Sequence, residues 1–173
     1  MNSSILTTHV GSLPRSTELS ELLFAKDKKE NIDQSLFNDT LKKNVDEVVK
    51  RQLNVGIDFV SDGEMSKISY ATYVKDRIKG FSGESERRAP ADLDAFPEYK
   101  TKIANSGGTP TYTRPCCTSE LKIQDTQSLK NDIKNLSDSL NSNNHSKAFM
   151  NAASPGVIMF LCQINFIKMM ILI

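Results

Sequence analysis

The sequence predicts an α/β fold in which parallel strands are joined by helical crossovers, and three observations predict it. Short β-compatible runs alternate with stretches of helical apolar spacing along 173 residues. Each run ends in Gly, Ser, Asp or Glu, which gathers polar groups on one rim of a sheet. With 38% hydrophobic and 25% charged residues, the composition is that of a globular chain able to bury a core. A polar rim of this kind is the functional face of either a barrel or a doubly wound sheet. A closed (β/α)8 barrel takes about 250 residues, whereas only about four strands are legible. The expectation is therefore a partial TIM-type barrel over residues 1–158, with a separate apolar tail at 159–173.

The elements follow in order. Ile5 to Val10 is a strand, stopped by Gly11-Ser12-Leu13-Pro14. Leu19, Leu22 and Leu23 mark a helix from Thr17, and Leu36, Phe37, Leu41, Val45, Val48, Val49, Gln52 and Leu53 mark a longer one ended by Gly56. Ile57 to Val60 is a buried strand that delivers Ser61-Asp62-Gly63-Glu64 at its carboxyl end. Tyr70, Tyr73, Val74 and Ile78 continue as a helix to Gly80. Phe81 to Pro110, rich in Gly, Pro, Ser and charge, reads as a long loop. Thr111 to Cys117 is the next strand, with Leu121 to Ile123 as an extension or a hairpin partner. Leu129, Ile133, Leu136 and Leu140 mark an amphipathic helix, and Ala148 to Ala152 a last strand running into Ser154-Pro155-Gly156.

Charge and motifs exclude several functions. A net charge of +1 offers no field for nucleic acid or an anionic membrane. The first fifteen residues have no signal-peptide pattern, so a cytoplasmic setting is expected. Three cysteines, two of them adjacent at Cys116 and Cys117, form neither a disulfide framework nor a CxxC metal pattern and read as small buried thiols. His9 and His145 lack metal-ligand spacing, so His9 is expected buried and hydrogen-bonded and His145 on the surface. No phosphate loop, dinucleotide fingerprint or nucleophile elbow is present.

Two segments carry candidate chemistry. The turn at Gly11 and Ser12 offers backbone N–H groups and a hydroxyl to a carboxylate or phosphate, or it is a plain strand-to-helix turn with Arg15 solvated. Asp62 and Glu64 stand two positions apart at a strand end, where alternation along a strand would put both carboxylates on one side, one of them to hold an ammonium group. The alternative is an Asp-Gly turn with a solvated Glu64.

Taken together, Thr7-Thr8-His9-Val10-Gly11-Ser12-Leu13-Pro14-Arg15, Arg51-Gln52 with Gly56-Ile57-Asp58-Phe59-Val60-Ser61-Asp62-Gly63-Glu64, and Ala152-Ala153-Ser154-Pro155-Gly156 resemble the cobalamin-independent methionine synthase family in order and spacing. The resemblance implies a barrel of the methionine synthase and uroporphyrinogen decarboxylase type. It implies a zinc-dependent transfer of a methyl group from methyltetrahydrofolate to homocysteine or a similar thiol amino acid. It also implies that Gly11 and Ser12 hold the amino acid's carboxylate and that Glu64 pairs with its ammonium, with Asp62 beside it. The family's zinc ligands come from later strands, so no catalytic or metal residue is expected in this chain, and the fragment alone is expected to be inactive. Two alternatives accompany this reading: an amino-acid-binding half-barrel that needs a partner chain, and alkyl transfer to another thiol such as coenzyme M. The tail from Met159 to Ile173, apolar but broken by Gln163, Asn165 and Lys168, is too short for a membrane span. A shifted reading frame from Leu161 would restore a polar stretch similar to that of the family, so the tail is expected to be out-of-frame.

Overall fold

In a computed structural model, the chain is described over residues 5–84, 91–105 and 114–162. Helix α1 (Thr17–Asp27) starts at Ser16, whose hydroxyl accepts from the Leu19 N–H, and α2 (Gln34–Asn54) starts at Asp33, whose carboxylate accepts from Ser35 and Leu36. The stripe Phe37, Leu41, Val45, Val48 and Val49 is the buried face of α2. It forms one core with Leu19 and Leu23 of α1, Val60, Met65 and Leu136.

The sheet is parallel where it positions the rim. Thr8 bridges Phe59 in parallel, and strand β1 (Val60–Ser61) pairs in parallel with a second strand, Ala148–Phe149, with Val60 opposite Ala148 and Ser61 opposite Phe149. The run around Thr8, β1 and Ala148–Phe149 are therefore three neighbouring staves. Helix α2 makes the first crossover between them, and helix Gln127–Ser142 lies in the second. This is a sector of a parallel α/β barrel, as the alternation of elements predicts.

The region between the second and third staves departs from expectation. Helix α3 spans only Tyr70–Lys75, and Ile78–Ser82 is strand β2, paired antiparallel with strand β3 (Cys116–Ile123). The strand expected at Thr111 to Cys117 therefore belongs to this antiparallel excursion and not to the parallel wall, with residues 111–113 outside the described part. Gly80 explains the pairing: its φ is +104°, and a Cβ there would lie 2.7 Å from the Glu120 carbonyl oxygen. The two backbones approach at a register shift between Lys79 and Phe81 that no side chain would fit. The expected long loop holds a 3-10 turn (Ala91–Ala95) and helix α4 (Pro97–Asn105). Residues 85–90 and 106–110 of it lie outside the described part.

After β3 come helix α5 (Gln127–Ser142), strand β4 (Ala148–Phe149) and helix α6 (Pro155–Leu161), which is capped by Ser154 and packs against α3. Helix α6 runs across the boundary between 158 and 159 at which the tail is expected to begin, and residues 163–173 of that tail lie outside the described part. None of the described helices is long and apolar enough to cross a membrane.

One buried side chain sets the register of α2 against the rim. Gln52 donates to the Ser61 carbonyl at 2.8 Å and accepts from the Ser61 N–H at 3.0 Å, so β1 obtains from a side chain the bonds that a neighbouring strand would supply. Gln52→Leu leaves both Ser61 groups buried and unpaired. It is expected to cost about 2–6 kcal/mol, at roughly 1–3 kcal/mol for each of the two unsatisfied groups, read as a lower midpoint in urea unfolding.

Candidate functional site

The strand β1 stops at Ser61, and the chain then turns sharply. Gly63 and Glu64 both adopt left-handed backbone conformations, with φ of +60° and +56°. Glycine is required at 63, because a Cβ there would meet Met65 at 3.0 Å, Leu13 at 3.1 Å and Val48 at 3.2 Å. The expected alternation of Asp62 and Glu64 along a strand is thus replaced by a turn that sends the two carboxylates to different partners.

Glu64 faces the loop after the first strand. Its Oε2 accepts from the Ser12 hydroxyl at 2.6 Å, and its Oε1 accepts from the Tyr70 hydroxyl at 2.6 Å and the Asn151 amide at 3.0 Å. Glu64 is 7% exposed. Burial alone would raise its pKa, but the bonds from Ser12, Tyr70 and Asn151, with the charge of Lys67, outweigh it and hold the carboxyl below its ordinary value. The same contact, after burial, raises the Tyr70 hydroxyl. Gly11 has a φ of +106° with open space where a Cβ would lie. Among the described residues no hydrogen bond engages the backbone N–H groups of Gly11 and Ser12.

Asp62 points the other way. Its Oδ1 accepts from the Glu64 N–H at 3.1 Å, and its Oδ2 pairs with Lys67 at 3.2 Å, both side chains buried. Both oxygens are engaged by the protein, so Asp62 supports the turn from behind while Glu64 faces the rim. Behind Lys67, the Tyr73 hydroxyl donates to Asp132 of α5 at 3.0 Å, and the Arg77 guanidinium stacks 3.4 Å from the Tyr73 ring centroid.

The structure brings Ser12 and Glu64 together, with Gly11 adjacent in the loop, and adds Tyr70 and Asn151, which no local pattern marks. Tyr70 reads as an apolar helix position and Asn151 as part of a strand end. Their only signal is that each follows a predicted strand on the same rim. His9 is part-buried and its Nε2 has no hydrogen-bond partner, contrary to the bonded histidine expected. His145 is half-buried, with Nε2 3.1 Å from the Asp58 carbonyl and 3.0 Å from that of Lys147. Cys116, Cys117 and Cys162 are buried free thiols. Among the described residues no three His, Cys, Asp or Glu side chains stand together as a metal site. The donor set therefore does not fit zinc.

Comparison with known proteins places the geometry in context. The model of the family described as "cobalamin-independent synthase, catalytic domain" matches residues 5–96. A B12-independent methionine synthase from Shewanella sp. W3-18-1, solved in complex with selenomethionine, has a TM-score of 0.62 at 17% identity, over 92% of this chain and 40% of its own. A putative vitamin-B12-independent methionine synthase from Listeria monocytogenes has a TM-score of 0.57 at 16% identity, over 94% of this chain and 42% of its own. At these identities the likeness is one of fold, and the chain spans about two fifths of the length of either relative. No curated protein matches it.

The Glu64 contacts carry a pH signature. Because its folded pKa is depressed, the stabilisation is fully present above the ordinary value of 4.5 and is lost as pH falls through the folded value. Tyr70→Phe removes one donor. It is expected to lower stability near neutral pH by about 1.5–3 kcal/mol, with the difference from the unmodified chain shrinking below pH 4.5. A difference that stays constant in urea titrations from pH 7 to pH 3 would count against an ionised Glu64 as its cause.

Proposed function

The chain belongs to the cobalamin-independent synthase catalytic-domain family, and on that premise we propose that it holds the amino-acid substrate of a methyl transfer, homocysteine or a similar thiol amino acid. The observation that carries the proposal is the state of Glu64, a buried, ionised carboxylate whose Oε1 is taken twice and whose Oε2 is taken once, by the exposed Ser12. The side left for a ligand is therefore the Oε2 side, next to Gly11 and Ser12. A carboxylate needs donors and an ammonium needs an acceptor, and an α-amino acid carries the two groups close together. Its ammonium would lie on Glu64 Oε2, and its carboxylate on the N–H groups of Gly11 and Ser12. That the Shewanella relative was solved with selenomethionine, itself an α-amino acid, supports this reading.

The wider reaction is part of the proposal. In the complete family, methyltetrahydrofolate would donate the methyl group and zinc would convert the thiol to the reactive thiolate. No step of that chemistry is routed through residues of this chain, since its described donors do not fit the metal. The chain's part is to bind and orient the amino acid so that its thiol projects from the rim. Coenzyme M as acceptor is disfavoured by Glu64, because a thiol without an ammonium brings no donor to the Oε2 side of that carboxylate. The reading of a half-barrel that works with a partner chain is favoured by the exposure of Ile5 (92%) and Val10 (67%) in the run around Thr8, which joins the sheet by a single bridge.

Two substitutions test the placement. Glu64→Gln is expected to weaken homocysteine binding by roughly 1.5–3 kcal/mol in calorimetry, the range for a hydrogen bond to a charged group. Unchanged affinity would remove Glu64 from the site. Gly11→Val is expected to abolish binding while the fold survives. The cause is conformational, since a valine disfavours a φ of +106° although space for its side chain is open.

A further inference from the structure

We propose that Arg15 is a positioning residue for Glu64, an inference that rests on the reading of Glu64 as the ammonium partner. The guanidinium of Arg15 reaches across from the loop after the first strand to the turn after β1. There its Nη2 donates to the Glu64 carbonyl at 2.7 Å and also to the Lys67 carbonyl, and its Nε donates to the Met65 carbonyl at 3.2 Å. Three carbonyls of one four-residue turn thus converge on a single side chain. They converge because Gly63 and Glu64 are both left-handed, which points the following carbonyls inward, away from water.

The geometry needs an arginine. Its planar fork offers several donors in fixed directions, whereas a lysine is a point charge on a flexible stem. Burial lowers the Arg15 pKa, and the neighbouring Glu64 and Asp62 charges act in the opposite direction. Yet Arg15 does not bond the Glu64 carboxylate, whose donors are Ser12, Tyr70 and Asn151. Arg15 therefore acts on Glu64 through the backbone. The Leu13 N–H adds a fourth tie, donating to the Gly63 carbonyl at 3.0 Å. One short loop does two jobs: Gly11 and Ser12 face the ligand side, while Leu13 and Arg15 lock the turn that presents Glu64. Without the clasp, the backbone at Glu64 would relax toward the ordinary φ of an L-residue and carry the carboxylate away from Ser12, Tyr70 and Asn151.

The test uses the 173-residue chain and its Arg15→Met, Arg15→Lys and Glu64→Gln variants. The first measurement needs no ligand: the Glu64 carboxyl is titrated by carbon NMR. Its pKa is expected to rise toward 4.5 in both arginine variants, the lysine variant separating position from charge because it keeps the charge and loses the fork. An unchanged Glu64 titration in folded Arg15→Lys and Arg15→Met overturns the proposal. The second measurement compares homocysteine with 4-mercaptobutanoate, the same molecule without its amino group. Arg15→Met is expected to weaken homocysteine by about tenfold or more and the analogue little, following the range for a lost hydrogen bond to a charge. Equal weakening of both ligands assigns Arg15 a general structural role and also overturns it. The Glu64→Gln control keeps the two readings apart. If that variant binds homocysteine normally while the Glu64 titration still moves in the arginine variants, the ammonium site fails and the positioning of the carboxylate stands.

Discussion

A carboxylate taken out of water must be given donors, and the placement of Glu64 is the constraint on which the rim depends. At 7% exposure it would be costly unpaired, and it stays ionised because three segments far apart in sequence each bring one donor. Ser12 comes from the loop after the first stave, Tyr70 from the first turn of α3, and Asn151 from the end of β4. The three parallel staves are thereby linked at their carboxyl ends through one side chain. The sheet itself contributes little there, since β1 and β4 are two residues each. Side chains do the work of a ladder: Gln52 for Ser61, Arg15 for the turn, Glu64 for the loops.

Beneath this layer lies a second polar one. Lys67 and Asp62 are buried together, and Tyr73, Asp132 and Arg77 join α3 to α5. Burial raises the carboxyl of Asp132 despite the Tyr73 hydroxyl and the Arg77 charge, and burial with the Asp132 charge pushes the Tyr73 hydroxyl up to about 12. Such groups add little net stability over an apolar core, but each has only one arrangement in which its partners are satisfied. The layer thus specifies the angle at which α3 leaves the turn, and that angle delivers Tyr70 to Glu64.

Much of this was legible in the sequence because glycine and proline mark where a chain must turn. Gly11-Ser12 and Asp62-Gly63-Glu64 announced two loops at strand ends, and their shared rim followed from parallel topology. Helices α2 and α5 were legible because apolar residues recur on one face. The strand alternation invoked for Asp62 and Glu64 failed, since two consecutive left-handed residues replace the strand, an outcome that Gly63 permits and Glu64 does not advertise. The β2–β3 pairing was hidden because Val74 and Ile78 keep helical spacing and the residues of β3 beyond Cys117 are exposed, leaving no buried stripe to read. Tyr70 and Asn151 were unreadable as partners of Glu64, because a contact across 6 or 87 positions depends on the register of three elements and not on any local pattern.

The donors around Glu64 come from neighbouring staves and the first helix after them, so this polar arrangement is encoded in a contiguous sector and does not require the barrel to be closed. The outer side of that sector is less complete. The first stave exposes Ile5, Leu6 and Val10, and a cleft of about 320 Å³ lined by His9, Leu13, Pro14, Val48, Arg51, Gln52, Val55 and Ile57 lies beside it. Exposed apolar side chains beside a sheet edge are a surface that a further element or a partner would cover. The relatives of similar fold, of which this chain spans 40–42%, have further chain with which such a surface could be covered. The polar rim and the closure of the sheet are thus physically separable in this fold: the first rests on short polar contacts that the sector supplies itself, the second on apolar area that it presents to something else.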